Sequence, residues 1–191
     1  MRVVGGVSKG RKLSSFAGLS IRPTSDKVRQ AIFNILCPAT EFSGRFRKVL
    51  DLFAGTGALG IEALSRGAES AVFVDKDPQS VRVIKKNLVA CGFEERAVVM
   101  SKNAVSAVTA LSRSGEKFDL IFIDPPYDAE LTLSALSGIE KGGLLSPTGV
   151  LVAETSKRSP ITIEFAGQKP FDERRYGDTL VYFFKQDGAS V

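Results

Sequence analysis

"VLDLFAGTGALGIEAL", residues 49–64, decides the fold of this 191-residue chain. A short apolar run passes Asp51 and leads into Gly55, Gly57 and Gly60, which have G-x-G-x-x-G spacing ahead of an apolar helical segment. Such a strand–turn–helix unit is typical of open parallel sheets, which bind nucleotide-like ligands at the carboxyl ends of their strands. The stretch therefore predicts an α/β fold with a ligand site beside the glycines.

Two acids indicate which ligand this is. Asp75 stands twenty positions after Gly55, at the end of the next apolar run, where a carboxylate can hold ribose hydroxyls. The glycines and Asp75 alone are also typical of a dinucleotide site. Asp51 distinguishes the two ligands, because a carboxylate repels a pyrophosphate but pairs with the ammonium of an aminoacyl group. S-adenosylmethionine has both a ribose and an ammonium, and Asp51 favours it.

A second stretch, "FDLIFIDPPYDAEL" (residues 118–131), carries the candidate chemistry. Its apolar run predicts a strand buried on both faces, which places Asp124 at the carboxyl edge of the sheet. Pro125 and Pro126 fix φ and remove two backbone donors, so the strand leads into a rigid corner rich in acceptors. An ordinary Pro-Pro turn is the plainer interpretation of the same residues.

Strand and helix signals alternate along the rest of the chain. The N-terminal segment "MRVVGGVSKGRKLSSF" predicts a basic hairpin or extended arm without a core, and residues 24–36 predict an amphipathic helix capped by Thr24 or Ser25. Strands are then expected at 48–53, 71–75, 97–101, 118–123, 149–155, 161–165 and 179–184, and helices at 58–66, 78–90 and 103–113. The last two strands have no long helix between them, which implies a late hairpin.

The positive charge is concentrated near the N-terminus. Residues 1–48 hold ten of the 26 Lys and Arg residues but two of the 21 acidic ones, whereas acids outnumber bases in the remainder. This asymmetry indicates a polyanion-binding appendage on a nearly neutral body, or alternatively a solvated basic surface. Composition, at 43% hydrophobic and 25% charged, suits one globular domain.

Composition also excludes some chemistry. The chain has no His, so a His-based triad is excluded, and its two Cys residues lack the spacing of metal ligands. We find neither a signal-peptide pattern nor an apolar run of membrane-spanning length, and we expect a cytoplasmic protein without a metal or a membrane partner.

These motifs together resemble a known family. The glycine stretch, "VFVDKD" and "DPPY" resemble the motifs of class I S-adenosylmethionine-dependent amino-group methyltransferases. "RVVGGVSKGRKL", "IRPTSDKVRQAIFNIL" and "RRYGDTLVYFF" resemble flanking motifs of the bacterial 16S rRNA guanine-N2 methyltransferases of the RsmD type. The resemblance implies a Rossmann-like seven-stranded sheet with helices on both faces and an antiparallel last strand. It further implies one domain over residues 1–191, with a basic arm and helix in 1–45 and a catalytic core in 46–191.

The resemblance also implies the cofactor site for S-adenosylmethionine. Asp75 would hold the ribose, Lys76 would lie beside the adenine, and Asn103 would face the adenine amino group, where the family commonly has Asp. The methionine end would be lined by Asp51, Phe53, Gly55, Thr56 and Gly57, and closed over by Arg22 and Thr24. Plainer roles exist for Thr24 as a helix cap, Gly60 as a packing glycine and Lys76 as a surface charge.

The catalytic residues implied are Asp124, Pro125, Pro126 and Tyr127. Asp124 and the Pro125 carbonyl would accept from an exocyclic amine, and Tyr127 would stack on the base. Lys9, Arg11 and Lys12 would bind RNA phosphates. The expected partner of this monomer is ribosomal RNA, free or within an assembling small subunit.

Two alternatives remain open at this stage. Related DNA adenine N6 methyltransferases use similar tetrapeptides, although about 45 residues outside the sheet leave little room for a target-recognition domain. A non-catalytic RNA-binding module on the same fold would not need Asp51, Asp75 and Asp124 together.

Overall fold

The computed structural model describes residues 1–15, 25–37, 44–125, 129–157 and 164–186. The strands are β1 (Lys48–Leu52), β2 (Ser70–Asp75), β3 (Ala97–Ser101), β4 (Phe118–Ile123), β5 (Leu145–Ser156), β6 (Asp172–Tyr176) and β7 (Thr179–Lys185). The helices are α1 (Asp26–Leu36), α2 (Ala58–Ser65), α3 (Pro78–Cys91), α4 (Ala104–Arg113) and α5 (Ala129–Gly142), with a short 3₁₀ turn at Glu94–Arg96.

The strands form one seven-stranded sheet in the order β3-β2-β1-β4-β5-β7-β6. β1 is paired in parallel with β2 and with β4, so that Asp51 stands level with Phe73 and with Phe122. β7 is antiparallel to both of its neighbours. The expected α/β sheet with an antiparallel last strand is confirmed.

Helices cover both faces of the sheet. One apolar core lies under α1, α2 and α3, with members such as Phe33, Ile61 and Ile84. A second core lies under α4 and α5 on the other face, with members such as Leu111 and Ile139. In the part of the chain described, no helix has the length and apolar character needed to cross a membrane.

The late hairpin differs from the expectation in its first strand. β6 is Asp172–Tyr176, whereas the strand expected at 161–165 lies mostly outside the described residues and ends in an isolated bridge between Phe165 and Gln168. β6 is an edge strand whose residues are mostly exposed, so its pairing comes from backbone hydrogen bonds to β7 and no apolar alternation marks it. The helix α5 was not expected from the sequence.

The N-terminal arm (residues 1–15) packs on the core, and the expectation of an arm without a core was wrong. Its ends are bridged between Arg2 and Lys12, while Val3 and Leu13 are buried in the first core. The Ser8 amide donates to the Ser65 hydroxyl of α2 at 2.9 Å. The arm is thus a docked part of the fold that leaves its basic side chains exposed.

A buried charged cluster joins the arm to α1 and α2. Glu62 of α2 accepts from the Arg66 Nε at 2.8 Å and from the Val4 amide at 2.8 Å, and it pairs with Arg29 of α1 at 3.5 Å. Glu62 and Arg29 are fully buried. Arg29 also donates to the Arg2 carbonyl. This cation of the N-terminal region is therefore part of the protein interior and does not belong to the polyanion-binding surface.

Candidate functional site

Three aspartates meet at the carboxyl edge of the sheet. Asp51 lies near the end of β1, Asp75 ends β2, and Asp124 follows β4. Since β1 lies between β2 and β4, the three acids occupy adjacent strands. Side chains alternate along a strand, and Leu52, Val74 and Ile123 all belong to the core under α4 and α5. The acids therefore share the opposite face, which the arm, α1, α2 and α3 cover.

Asp51 is held by the helix that follows it. Its Oδ2 accepts from the Gly60 amide at 2.9 Å, which caps the first turn of α2. Burial is the main cause that raises the pKa of Asp51 from its ordinary 3.8 to about 8; the Gly60 amide opposes this rise, and the negative charges of Asp124 and Asp75 contribute to it. A ligand that carries a cation would offset the negative charge of such a cluster.

The raised pKa of Asp51 predicts how the stability of the ligand-free protein depends on pH. The folded protein holds a proton that the unfolded chain releases above pH 3.8, so the stabilisation is present at acid pH and is lost as the pH rises through about 8. Because the chain has no His, few other groups titrate in this window. We expect the thermal midpoint to fall from pH 5 to pH 9, and to fall less in Asp51→Asn, as scanning calorimetry can measure. Parallel curves for the two proteins would contradict the assignment.

Asp75 fixes the glycine loop (residues 53–57). Its Oδ2 accepts from the Gly55 amide at 2.8 Å, and its Oδ1 accepts from the Asp77 amide at 2.9 Å. Two of the amides that a dinucleotide pyrophosphate could use at the N-terminus of α2, those of Gly55 and Gly60, are thus bonded to the carboxylates of Asp75 and Asp51. This arrangement favours a ligand with an ammonium and a ribose over a dinucleotide.

The loop itself has an unusual backbone. Phe53 has a φ of +71° and Gly57 a φ of +77°, and the Gly57 amide donates to the Ala54 carbonyl at 2.7 Å in a tight turn. A positive φ at a bulky non-glycine residue is rare and is concentrated at functional sites. Gly60 has a packing role, because a methyl group there would collide with the Phe73 ring.

The remaining candidate residues lie in different surroundings. Asp124 is half-buried and Pro125 is buried at the end of β4, whereas Arg22, Thr24, Pro126 and Tyr127 lie outside the described residues.

Lys76 and Asn103, which are expected beside the adenine, are exposed. The Asn103 Oδ1 caps α4 by accepting from the Ser106 amide at 2.9 Å, so an adenine contact would have to share this oxygen. The N-cap of α1 is Ser25, which accepts from the Val28 amide.

The basic side chains Lys9, Arg11 and Lys12 are exposed on the basic turn (residues 7–12) of the arm. This turn is anchored at the carboxyl ends of α2 and α3, through Ser65 and the Cys91 carbonyl. It is therefore separated from the glycine loop by the length of α2, about 12 Å for eight residues.

Comparisons with known proteins identify the family. Residues 1–185 match the family model described as "Conserved hypothetical protein 95". The chain is 38% identical over 188 residues to the "Putative rRNA methyltransferase YlbH" of Bacillus subtilis, covering 98% of this chain and 100% of that protein. The chain belongs to the RsmD-type methyltransferase family.

Two further relatives of this RsmD-type chain agree with that placement. It is 34% identical over 163 residues to the "Ribosomal RNA small subunit methyltransferase D" of Haemophilus influenzae, covering 84% of this chain and 81% of that protein. The solved structure of "Putative methyltransferase yhhF from Escherichia coli" superposes with a TM-score of 0.82 at 31% identity, covering 97% of both chains.

Sequence reasoning missed one polar residue behind the site of this RsmD-type chain. Asn87 of α3 is fully buried and donates to the Thr56 carbonyl of the glycine loop at 2.9 Å. The available signal was its position between Ile84 and Leu88 on the apolar stripe of α3, where a polar side chain must find partners in the interior.

Proposed function

We propose that this chain transfers a methyl group from S-adenosylmethionine to the exocyclic N2 of a guanine in small-subunit (16S) ribosomal RNA. The observation that carries the proposal is the position of Asp124-Pro125, directly after a buried strand and beside Asp51 and Asp75 at one sheet edge. Relatives named as rRNA methyltransferases, one of them acting on the small subunit, support the choice of substrate.

S-adenosylmethionine is the cofactor, and it supplies an electrophilic methyl group on a sulfonium. We assign Asp51 to its ammonium and Asp75 to its ribose hydroxyls, since the acid cluster calls for a cation and the two carboxylates flank the glycine loop. Phe53, Gly55, Thr56 and Gly57 form the adjoining wall, with Lys76 and Asn103 at the adenine end. Arg22 and Thr24 are proposed to close over the methionine end.

The protein's contribution to the reaction is positioning. The lone pair of an exocyclic base amine is delocalised into the ring, which makes the nitrogen a poor nucleophile. A carboxylate at Asp124 and the carbonyl of Pro125 accept its two N–H hydrogens and turn the lone pair toward the methyl group. Transfer of the methyl group to this nitrogen would leave the cofactor as a thioether, and the proton that the methylated amine loses would pass to the Asp124 carboxylate. Pro126 is proposed to keep the corner rigid, and Tyr127 is proposed to provide the ring on which the extruded base stacks.

The basic turn indicates a substrate larger than a nucleotide. Lys9, Arg11 and Lys12 lie about one helix length from the glycine loop, so a molecule contacting both must extend across the face of α2. Exposed Lys and Arg at this distance suit phosphates of a folded polynucleotide.

Replacing Lys9, Arg11 and Lys12 together by Ala should weaken RNA binding without changing cofactor affinity. The slope of log affinity against log salt should become shallower by ~0.7 per lost contact to single-stranded RNA. A matched triple replacement of Arg113, Lys117 and Lys141, exposed on the side covered by α4 and α5, should leave the slope unchanged. If the slope of log affinity against log salt is the same in both triple variants, the basic turn does not contact RNA. Its cations would then serve to stabilise the carboxyl ends of α2 and α3.

The function itself is tested by supplying radiolabelled S-adenosylmethionine with free 16S rRNA, partly assembled small subunits and DNA, and then mapping the modified base. We expect label at the N2 of a guanine in rRNA. Label at adenine N6 in DNA would establish the DNA-directed alternative. If no methyl group is transferred to any substrate, the result would support a non-catalytic RNA-binding module.

A further inference from the structure

Asn87 connects two parts of the molecule that are far apart in sequence. Its Oδ1 accepts from the Ser14 amide at 2.7 Å, and its Nδ2 donates to the Ser14 carbonyl at 3.0 Å and to the Thr56 carbonyl at 2.9 Å. The side chain is completely buried. One amide group is therefore bonded to the end of the arm and to the glycine loop at the same time.

Asn87 adds to the other contacts that hold these two segments, which are those of Asp75 with the loop and those of Glu62 and Ser65 with the arm. Thr56 lies between two glycines with positive φ, a backbone of low intrinsic stiffness. The backbone amide and carbonyl of Ser14 are both bonded to Asn87, and Ser14 lies two residues after the Arg2–Lys12 bridge.

The chemistry of a buried amide makes these contacts cooperative. An Asn side chain has two N–H donors, and here both are used, one for the arm and one for the loop. Displacing either segment leaves a buried donor or acceptor without a partner, which is costly where water is excluded. The docked arm and the ordered loop consequently favour each other.

We propose that Asn87 is a positioning residue that couples cofactor binding at the glycine loop to docking of the N-terminal arm. The proposal rests on the cofactor site proposed above. Because the basic turn belongs to the same arm, cofactor binding fixes the RNA-contacting side chains relative to the catalytic edge. Coupling between two ligands transmitted in this way is reciprocal.

The test uses S-adenosylhomocysteine, the demethylated product of the cofactor, with hydrogen exchange as the readout and no RNA. In the unmodified protein the ligand should slow amide exchange in the glycine loop and also in arm residues 1–15. Asn87→Ala should bind the ligand about 5-fold or more weakly by calorimetry. At saturating ligand this variant should show protection of the loop without protection of the arm.

Ser65→Ala is the matched control, since Ser65 anchors the same arm through the Ser8 amide and the Gly5 carbonyl but does not contact the glycine loop. This variant should have faster arm exchange without ligand, yet the ligand should still protect the arm and its affinity should change less than about 2-fold.

Ser14→Pro provides a second route, because it removes the amide that donates to Oδ1 while leaving Asn87 and Thr56 in place. It should abolish ligand-induced protection of the arm even if Asn87→Ala folds poorly.

The outcomes separate the two proposals. Protection of the loop but not of the arm in the unmodified protein would overturn the coupling and leave the cofactor site intact. Retained arm protection in both Asn87→Ala and Ser14→Pro would overturn it as well. A ligand that binds without protecting the loop would instead refute the cofactor site on which the inference rests.

Discussion

Replacing Asp124 by Ala is expected to slow methyl transfer by about 100- to 1000-fold, equivalent to ~2.7 to 4 kcal/mol of transition-state stabilisation, by analogy with the loss of one preorganised hydrogen-bonding group elsewhere. The reason is that Asp124 is assigned to the base amine and not to the cofactor. Affinity for S-adenosylhomocysteine should therefore change little. Single-turnover rates at saturating cofactor and RNA measure the first quantity, and calorimetry measures the second.

Asp119→Ala is the matched control for Asp124→Ala. Asp119 lies near the other end of β4 and accepts from the Arg47 and Lys48 amides, each at 3.0 Å. Its loss should lower the thermal midpoint while leaving the single-turnover rate nearly unchanged. A stably folded Asp124→Ala enzyme with ordinary activity would refute the mechanism.

Replacing Glu62 by Ala is expected to destabilise the fold by about 3 to 5 kcal/mol, the usual cost of removing one partner from a buried ion pair. Arg29 would remain fully buried with Asp26, 2.8 Å away, as its remaining carboxylate partner, and the Val4 amide and the Arg66 guanidinium would both lose their acceptor. Urea unfolding followed by circular dichroism measures the loss.

Glu69→Ala removes a carboxylate from an exposed pair with Arg47 and serves as the comparison for Glu62→Ala. Exposed pairs are screened by water and salt, so little change in the unfolding midpoint is expected. Equal midpoints for the Glu62 and Glu69 variants would show that the buried cluster does not hold the arm and α1 in place.

The parts of the fold that the sequence predicted are those marked by local patterns. The exit of β1 at Asp51 and the glycines that follow carry their own signals. α5 was missed because its buried stripe begins with a polar residue, Thr132, while Leu133 on the same helix is exposed. β6 was missed because an edge strand of charged residues shows no apolar alternation, and its position is set by β7.

The candidate site could also be predicted from the sequence only in part. The convergence of Asp51, Asp75 and Asp124 follows from parallel strands that end at one edge, so it could be anticipated from spacing alone. The contacts that Asp75 makes with the loop, and the link from Asn87 to Ser14, depend on how separate segments pack. Contacts between segments that are far apart in sequence leave no pattern within either segment, so they could not be predicted.

The docking of the arm also sets an order of events during synthesis. The arm is made well before its partners: Glu62 is 58 residues beyond Val4, and Asn87 is 73 residues beyond Ser14. Because synthesis proceeds from the N-terminus to the C-terminus, the arm cannot make all of these contacts until β1, α2, β2 and most of α3 have been made. Closing so long a loop costs chain entropy, and packing of Val3 and Leu13 into an already formed core can offset that cost. A segment that is made early thus reaches its native position only after α2 and α3, which are made later, are in place.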